Sequence, residues 1–244
     1  MGKVIVVTSG KGGTGKTTSV AAISSCLSAL GHKTLCVDCD AGLRNLDIVL
    51  GMTEFAVSDF SDVTDGNLTV TEAASEHPRL PGLFFLSAPT FRSPEEIDRE
   101  DMLRFIADAR ENYDYCLIDS PAGLGAGFAL ATTDADVAII VSTSDLSSIR
   151  DAQRAGELLR GMGIGDIRLI INRLSGNARG QLKSTLDDVV DEIGAQLGGI
   201  VREDSDVYLS SNSDTPLVLY TDHGAARDLL DVTLRLLGEE IPIK

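Results

Sequence analysis

The sequence predicts an α/β fold in which a mostly parallel β-sheet carries helices on both faces. Two observations lead to this class: short apolar runs recur along the chain, and segments with helical periodicity separate them. Strands that are apolar throughout belong to a sheet buried on both faces, and helical crossovers make such a sheet parallel. The sequence shows no repeat and no linker, so a single domain is expected over residues 1–244.

The apolar runs predict the strands in order. They fall at residues 4–8, 33–38, 83–88, 135–143, 167–173 and 198–204, with one more in 113–123, where a strand runs into a Pro-Gly loop. The first of them, VIVVT, has no charged side chain, which is typical of a central strand. Ligands bind at the carboxyl ends of such strands, so the residues that follow each strand are the first candidates for function.

The intervening segments predict the helices, at residues 16–30, 94–112, 147–162, 181–197 and 225–237. The second of these is charged and amphipathic and has Pro94 near its start, where proline is tolerated. Residues 61–82 are the least regular part of the chain, and we interpret them as surface excursions with short helices.

The charge balance argues against several classes of protein. The chain has 37 acidic and 21 basic residues, for a net charge of −16. Such a field repels nucleic-acid backbones and anionic lipid alike, so nucleic-acid binding is not expected.

No run of the sequence approaches the roughly 18 apolar residues of a membrane span. Residues 1–7 have a strand pattern instead of a cleavable leader, and Val6 stands where myristoylation needs Ser or Thr. We expect a cytoplasmic protein.

The four cysteines do not form a metal or redox motif. Cys26 and Cys116 fall in apolar segments, while Cys36 and Cys39 form a C-x-x-C at a strand end. Side chains three apart on a strand point to opposite faces, and no second pair completes four zinc ligands. We expect buried thiols in a reducing compartment.

A glycine-rich loop follows the first strand and opens the first helix. Its sequence, GKGGTGKT at residues 10–17, fits the phosphate-binding pattern G-x-x-x-x-G-K-[ST]. The glycines let backbone N–H groups turn toward β- and γ-phosphate oxygens, and the helix adds its positive end. Lys16 is assigned to the β/γ charge and Thr17 to Mg²⁺. The predicted nucleotide-binding residues here are Gly10, Lys11, Gly12, Gly13, Thr14, Gly15, Lys16, Thr17 and Thr18.

Carboxylates follow two other predicted strands, on the same rim of the sheet. Asp119 ends the apolar run CLID and is the candidate that holds Mg²⁺, directly or through water. Asp38 and Asp40 end the second strand, and Asp40 is our candidate for orienting or activating the attacking water. The alternative for each is a solvated aspartate that caps a loop.

These motifs resemble the deviant Walker A ATPases of the MinD/ParA family. The resemblance is carried by KGGTGKTT, VDCDAGLRNLDIVLG, DSPAG, TSDLSSIRDAQR and INR, and it extends from residue 1 to about residue 219. GLRNLD and RDAQR, at residues 42–47 and 150–154, are typical of the MinD branch. The resemblance implies a P-loop NTPase fold, ATP and Mg²⁺ as cofactors, ATP hydrolysis, and regulation of where the cell divides.

The family also implies an ATP-dependent homodimer that sandwiches two nucleotides, with a MinC-like protein as partner. In this reading Lys11 is the signature lysine, which reaches the phosphates of the partner subunit. A cation inserted in this way stabilises charge only once the dimer has formed, as an arginine finger does. Because a lysine stem is flexible, contact with the chain's own nucleotide or with solvent stays an alternative.

By the same resemblance, Asn172 and Arg173 flank adenine, with the Asn amide able to pair with the edge of the base. The sequence differs from the family pattern in two places. Arg202 occupies the position where the family often has the proline of a Pro-Glu pair near the base. Gly125 and Ala126 stand where the family usually keeps an acidic residue and its neighbour, on the switch and partner face.

The last predicted helix also departs from the family, whose MinD members usually end in a basic amphipathic helix that enters anionic lipid. Its predicted polar face carries two basic and four acidic residues: Arg227 and Arg235, and Asp228, Asp231, Glu239 and Glu240. That sign is wrong for anionic lipid, and the apolar stripe suits a helix docked on the sheet. We expect no autonomous membrane binding, and peripheral association only through a partner.

Four other functions remain alternatives. A ParA-like partition ATPase would need basic surface clusters for DNA, which are not evident among the dispersed Lys and Arg. A flagellar-number regulator belongs to the same ATPase group, and sequence motifs distinguish it poorly from the MinD branch. An iron–sulfur electron-transfer or carrier ATPase would need cluster cysteines, yet no cysteine follows Cys116. A binding module that never hydrolyses ATP is the fourth, if Asp40 is misassigned.

Overall fold

A computed structural model describes residues 1–40, 44–89, 96–175, 189–191 and 193–243. Its strands are β1 (Lys3–Thr8), β2 (Thr34–Asp38), β3 (Ser75–Glu76), β4 (Leu83–Leu86), β5 (Tyr115–Asp119), β6 (Val137–Thr143), β7 (Asp166–Leu174) and β8 (Gln196–Arg202). They form one sheet in the order β3-β4-β2-β5-β1-β6-β7-β8. All neighbouring strands pair in parallel except β3, which is antiparallel to β4. The predicted mostly parallel α/β fold is confirmed.

The longer described helices are α1 (Lys16–Ala29), α5 (Arg99–Asn112), α7 (Leu146–Gly161) and α10 (Gly224–Leu236). Shorter ones are α2 (Leu46–Leu50), α3 (Phe60–Thr64), α4 (Val70–Ala73), α6 (Ala126–Ala131), α8 (Ser205–Ser211) and α9 (Leu217–Tyr220), and Thr53–Phe55 is a 3₁₀ turn. The long helices begin close to their predicted positions. Of the predicted helix 94–112, residues 94 and 95 lie outside the described part, and α5 begins after Asp98, which caps it.

The sheet separates two buried apolar layers, one against each face. Successive residues of β1 alternate between them: Val4 and Val6 join the layer of α5 and α7, and Ile5 and Val7 join that of α1 and α10. Every residue of β1 from Val4 onward is buried. This two-sided burial is why the strand reads as an unbroken apolar run in the sequence.

Residues 61–82 contribute more than surface excursions, which corrects the sequence interpretation. Short helices are present as expected, and α3 and α4 each begin with a capping box. However, Val70 and Leu80 are buried in the core, and β3 adds an antiparallel edge strand. A two-residue strand is too short to leave a periodic pattern, so it could not be predicted from the sequence.

The chain after β7 differs most from the prediction. Most of the predicted helix 181–197, residues 181–188 and 192, lies outside the described residues, and 189–191 are helical. Its last two residues instead begin β8, and the predicted strand 198–204 ends early, at Arg202. A Cβ on Gly199 would lie 2.5 Å from Val232 Cγ2, so this glycine lets α10 pack closely on β8. Helices α2, α6, α8 and α9 were not predicted.

The prediction that the cysteine side chains are buried is confirmed. All four thiols are free and buried, and Cys36 and Cys39 lie in opposite apolar layers. Burial raises the pKa of Cys26 to about 11 and that of Cys116 to about 12, so neither is a ready thiolate. No cluster of metal-binding side chains occurs within the described ranges. None of the helices described there is both long and apolar enough to span a bilayer.

Candidate nucleotide site

The predicted site residues converge at the carboxyl ends of the central strands. In the register of the sheet, Asp119 at the end of β5 lies beside Val7 of β1 and beside Asp38 of β2. The backbone N–H of Cys39 donates to the Asp119 carbonyl at 3.0 Å, and that of Ser120 donates to the Val7 carbonyl at 3.1 Å. The phosphate loop and both acidic strand ends therefore share one rim, as the sequence predicts.

The phosphate loop is tightly seated and depends on its glycines. Gly13 and Gly15 have φ values of 77° and 99°, a left-handed conformation that favours glycine. A Cβ on Gly10 would lie 2.5 Å from Asp151 Cβ, because α7 passes close to the loop. Gly15 caps α1 without any side-chain hydrogen bond. The N–H groups of the first turn are thus left for a ligand, and anions suit that position.

Lys16 and Thr17 stand at the start of α1, facing the carboxylate of β5. Lys16 is buried, with 7% of its surface exposed, and its charge acts on Asp119. The Thr17 side chain lowers the pKa of the Asp119 carboxyl. Asp119 is buried, and its Oδ1 has no hydrogen-bond partner among the residues that the structure describes. A hydroxyl beside a carboxylate with an unused oxygen fits the oxygen ligands that Mg²⁺ prefers.

The electrostatics of this rim also favour a cation. Burial raises the pKa of Asp119 to about 8, Asp38 and Asp40 act in the same direction, and Thr17 and Lys16 oppose the rise. Burial likewise raises the pKa of Asp38 to about 6, although it accepts N–H bonds from Asp40 and Leu46. Several carboxylates held together in a buried place are stabilised by a bound divalent ion.

Asp40 lies just beyond β2, half-buried, and its backbone is held by Asp38. The N–H of Asp40 donates to Asp38 Oδ1 at 2.8 Å, and the Asp40 carbonyl accepts the Arg44 N–H at 3.2 Å. Residues 41–43 lie outside the described part, and with them the first two residues of the GLRNLD motif. The sequence put Asp38 on the rim without a role, and the structure shows that it positions the Asp40 loop.

Lys11 points to the start of α7. Its Nζ lies 3.0 Å from Ser147 Oγ and 3.6 Å from Asp145 Oδ1, with 47% of the side chain exposed. Within the described ranges this is its one ion pair. Hydrogen bonds from Ser147, Thr143 and the Ser148 N–H hold the pKa of Asp145 well below its usual range, and Lys11 adds to this. The two lysines of the loop are therefore in different environments.

Asn172 and Arg173 end β7 against the phosphate loop. Asn172 is buried, and its Nδ2 donates to the Thr14 carbonyl at 2.7 Å. Its Oδ1 accepts the N–H of Arg173 at 2.9 Å, and Arg173 has a φ of 55°. The amide thus braces the phosphate loop, a role that the sequence did not indicate. Contact of either residue with adenine stays a prediction.

A cavity of about 310 Å³ adjoins the loop on this side. Its wall includes Gly15, Thr18, Asn172, Arg173 and Arg202. It therefore connects to the start of α1, where phosphates would bind, and its volume is at the small end for ligand pockets. The predicted base-binding residues Asn172 and Arg173 therefore line a cavity next to the phosphate loop.

A glycine loop between the first strand and the first helix, a buried lysine and carboxylates on the neighbouring strand ends together define a P-loop nucleotide-binding protein. The family described as the CobQ/CobB/MinD/ParA nucleotide binding domain matches residues 5–217. The chain belongs to this family, and within it is a MinD-like ATPase of division-site placement that uses ATP and Mg²⁺.

Three similar proteins support this assignment. The septum site-determining protein MinD of a Synechocystis strain is 39% identical, over 99% of this chain and 92% of the relative. A MinC:MinD cell division complex from Aquifex aeolicus has a chain 38% identical, with a TM-score of 0.90, over 99% of this chain and 98% of that one. A Pyrococcus horikoshii septum site-determining MinD with Mg-ADP is 26% identical, with a TM-score of 0.84, over 99% and 100%.

Proposed function

We propose that this ATPase is a molecular switch in which ATP joins two copies of the chain and hydrolysis separates them. The observation that carries the proposal is the contrast between the two loop lysines. Lys16 is buried beside Asp119, whereas the Lys11 ammonium is half-exposed on Asp145 and Ser147. Lys16 serves the chain's own nucleotide, and Lys11 is placed to leave its surface contacts for the phosphates of a second copy.

The residues of the loop bind the triphosphate. Backbone N–H groups from Gly12 to Thr18 and the Lys16 ammonium surround the β- and γ-phosphates, where they stabilise negative charge. Thr17 and Asp119 hold Mg²⁺, which neutralises phosphate charge when bound. Asn172 keeps the loop in this shape through its bond to Thr14. Gly10 and Gly15 allow the close approach of α7 and β7 that this arrangement needs.

Asp40 acts on the attacking water. It follows β2 directly, on the rim shared with Asp119, and its backbone is fixed by the Asp38 carboxylate at 2.8 Å. A carboxylate held near the γ-phosphate orients water and accepts its proton as the oxygen of that water bonds to the γ-phosphorus and the bond from this phosphorus to the oxygen of the leaving ADP breaks. Lys11 from the second copy completes the charge stabilisation, so hydrolysis depends on the dimer.

A MinC-like protein is the partner that we propose for the dimer, because the Aquifex aeolicus relative was solved in a MinC:MinD complex. Gly125 and Ala126 lie at the start of α6, and they change the chemistry of the expected partner face. We propose that the protein acts in the cytoplasm and reaches the membrane only through a partner. The iron–sulfur alternative is disfavoured, because all four cysteines are buried thiols.

Light scattering after size exclusion tests the switch. With ATP and Mg²⁺ the protein should have the mass of a dimer, and with ADP that of a monomer. Lys11→Ala should bind ATP, remain a monomer and lose phosphate release. Equal masses in ATP and ADP, or normal turnover by Lys11→Ala, would contradict the proposal.

A further inference from the structure

The cavity beside the phosphate loop has an apolar inner wall and one aromatic side chain. Val201 and Leu229 form part of the inner wall, and both are buried. Tyr208 of α8 also lines the cavity, yet 72% of it is exposed. It is the one aromatic group among the described residues of the lining. The tyrosine therefore stands on the solvent side of the space into which a base would enter.

The Tyr208 side chain is not part of the hydrophobic core. Its hydroxyl makes no hydrogen bond within the part of the chain that the structure describes, and an aromatic surface of this size gains nothing from water. A single exposed tyrosine is ordinary on a protein surface. Its place on a cavity whose other end is Gly15 and Thr18 is what distinguishes this one.

The backbone that carries Tyr208 is firmly held. Asp204 caps α8 by accepting the Asp206 N–H at 3.0 Å, and it also accepts the Ala225 N–H at 2.8 Å. One carboxylate thus ties α8 to the start of α10, which packs on β8. With the helix fixed, only the two side-chain torsions of the tyrosine must be ordered when a ligand binds.

The neighbouring long side chain is already engaged. Arg202 Nε and Nη2 each donate to the Asp228 carboxylate at 2.7 Å, and the Arg202 N–H bonds it at 3.0 Å. Arg202 therefore stays along the wall, and moving it would leave Asp228, which is buried, without its cation. Tyr208, by contrast, is largely exposed, so its ring can turn over a bound base while Arg202 stays on Asp228.

We propose that Tyr208 is a nucleotide-binding residue whose ring stacks on the base of ATP at the open side of this cavity. The proposal rests on the phosphate site described above. Stacking needs a flat ring and not a particular pattern of donors, so it raises the affinity for purine nucleotides in general. Recognition of the base edge remains with other groups of the site.

Binding of Mg·ATP, Mg·GTP and Mg·tripolyphosphate to three variants separates the base from the phosphates. Tyr208→Ala should bind both nucleotides about tenfold more weakly, the scale of one lost stack. Its affinity for tripolyphosphate should be unchanged, and Tyr208→Phe should behave as wild type. Tyr220→Ala is the matched control, since Tyr220 is also exposed and does not line the cavity.

An unchanged ATP affinity in Tyr208→Ala would overturn the proposal, as would an equal loss for tripolyphosphate. A wild-type protein that binds neither ATP nor tripolyphosphate would instead remove the phosphate site, and the stacking with it. A second readout uses the absence of tryptophan from the chain. The tryptophan fluorescence of Tyr208→Trp should be quenched by ATP and not by tripolyphosphate. The fluorescence of Tyr220→Trp should respond to neither ligand. Equal emission of Tyr208→Trp with and without saturating ATP would overturn the stack.

Discussion

Asp119 shows at the scale of one residue how burial prepares a carboxylate for a cation. Its neighbours in the sheet are Val7 and Asp38, so water has little access to the side chain. Burial raises its pKa to about 8, because the charged form is held away from solvent. Thr17 and Lys16 lower the pKa and so stabilise the charged form. The position is assembled in advance for a positive ligand.

The first prediction concerns Lys16. Replacing it by Ala should weaken ATP binding by about 2–4 kcal/mol, because a buried cation is lost opposite phosphate charge. Isothermal titration with Mg·ATP measures the change. Lys33→Ala is the control, since Lys33 lies at the opposite end of β2, over the ring of Tyr113. ATP affinity within twofold of wild type in Lys16→Ala would refute the assignment.

The second prediction concerns Asp40. Asp40→Ala should bind ATP and form the dimer, yet release phosphate at least about a hundredfold more slowly, since general-base help is lost. Scattering in ATP and a phosphate-release assay on the same sample measure both. Asp166→Ala is a control, because Asp166 begins β7, at the end of the sheet opposite to the rim. Normal phosphate release would place the water-activating role elsewhere.

At the scale of an element, α2 connects the catalytic rim to the edge of the sheet. Its first N–H, on Leu46, donates to Asp38 Oδ2 at 3.3 Å. Its last residue, Leu50, has its carbonyl 3.0 Å from His77 Nε2. His77 Nδ1 accepts two N–H bonds, from Arg79 and Leu80, which fixes the neutral tautomer with the proton on Nε2. The short helix is held at both ends by side chains from other elements.

The third prediction follows from that histidine. Burial holds the pKa of His77 below its usual value, so the unfolded chain binds the proton first as the pH falls. The stability that neutral His77 contributes is present above about pH 6.5 and is lost on acidification below it. Between pH 7.5 and 5.5, wild type should lose more unfolding free energy than His77→Gln.

Urea unfolding at the two pH values measures the difference. The titrating groups that the two proteins share cancel in the comparison, so the remainder belongs to His77. His223→Gln is the matched control, because His223 is exposed. A pH dependence that is the same for His77→Gln and wild type would show that His77 is not held neutral.

At the scale of the whole molecule, charge and the docking of α10 act together. The apolar stripe of that helix is buried against the sheet, through Leu229, Val232 and Leu236. Asp228 and Asp231, which the sequence analysis placed on the polar face, are buried instead and pair with Arg202 and Arg227. The sequence prediction of a docked helix is therefore confirmed. A net charge of −16 also repels an anionic surface.

The fourth prediction is that the ATP-bound protein alone does not sediment with anionic liposomes. The helix would have to leave the core to expose its stripe, and the exposed Glu239 and Glu240 that follow it would bring acidic groups to the lipid. Co-sedimentation with vesicles of phosphatidylglycerol in ATP and in ADP measures this. ATP-dependent sedimentation that is absent in ADP would contradict it and would restore direct membrane binding.

By itself the sequence determined the elements that local patterns encode. Two-sided burial made β1 and β6 recognisable as apolar runs, and the spacing of glycines, lysine and threonine identified the phosphate loop. Because all parallel strands present their carboxyl ends at one rim, the topology already implied that Asp38 and Asp119 would meet. The sequence also indicated that α10 docks, from the spacing of its apolar residues.

Only the tertiary structure decided which distant side chains complete the site. Asn172 braces the carbonyl of Thr14 across 158 residues, and Lys11 rests on Ser147 across 136. Neither contact leaves a periodicity or a spacing in the chain, since it depends on how β7 and α7 pack against the loop. The same holds for α8, whose seven residues bring Tyr208 to the cavity. Short elements are selected by packing more than by propensity, so their positions emerge only when the sheet is assembled.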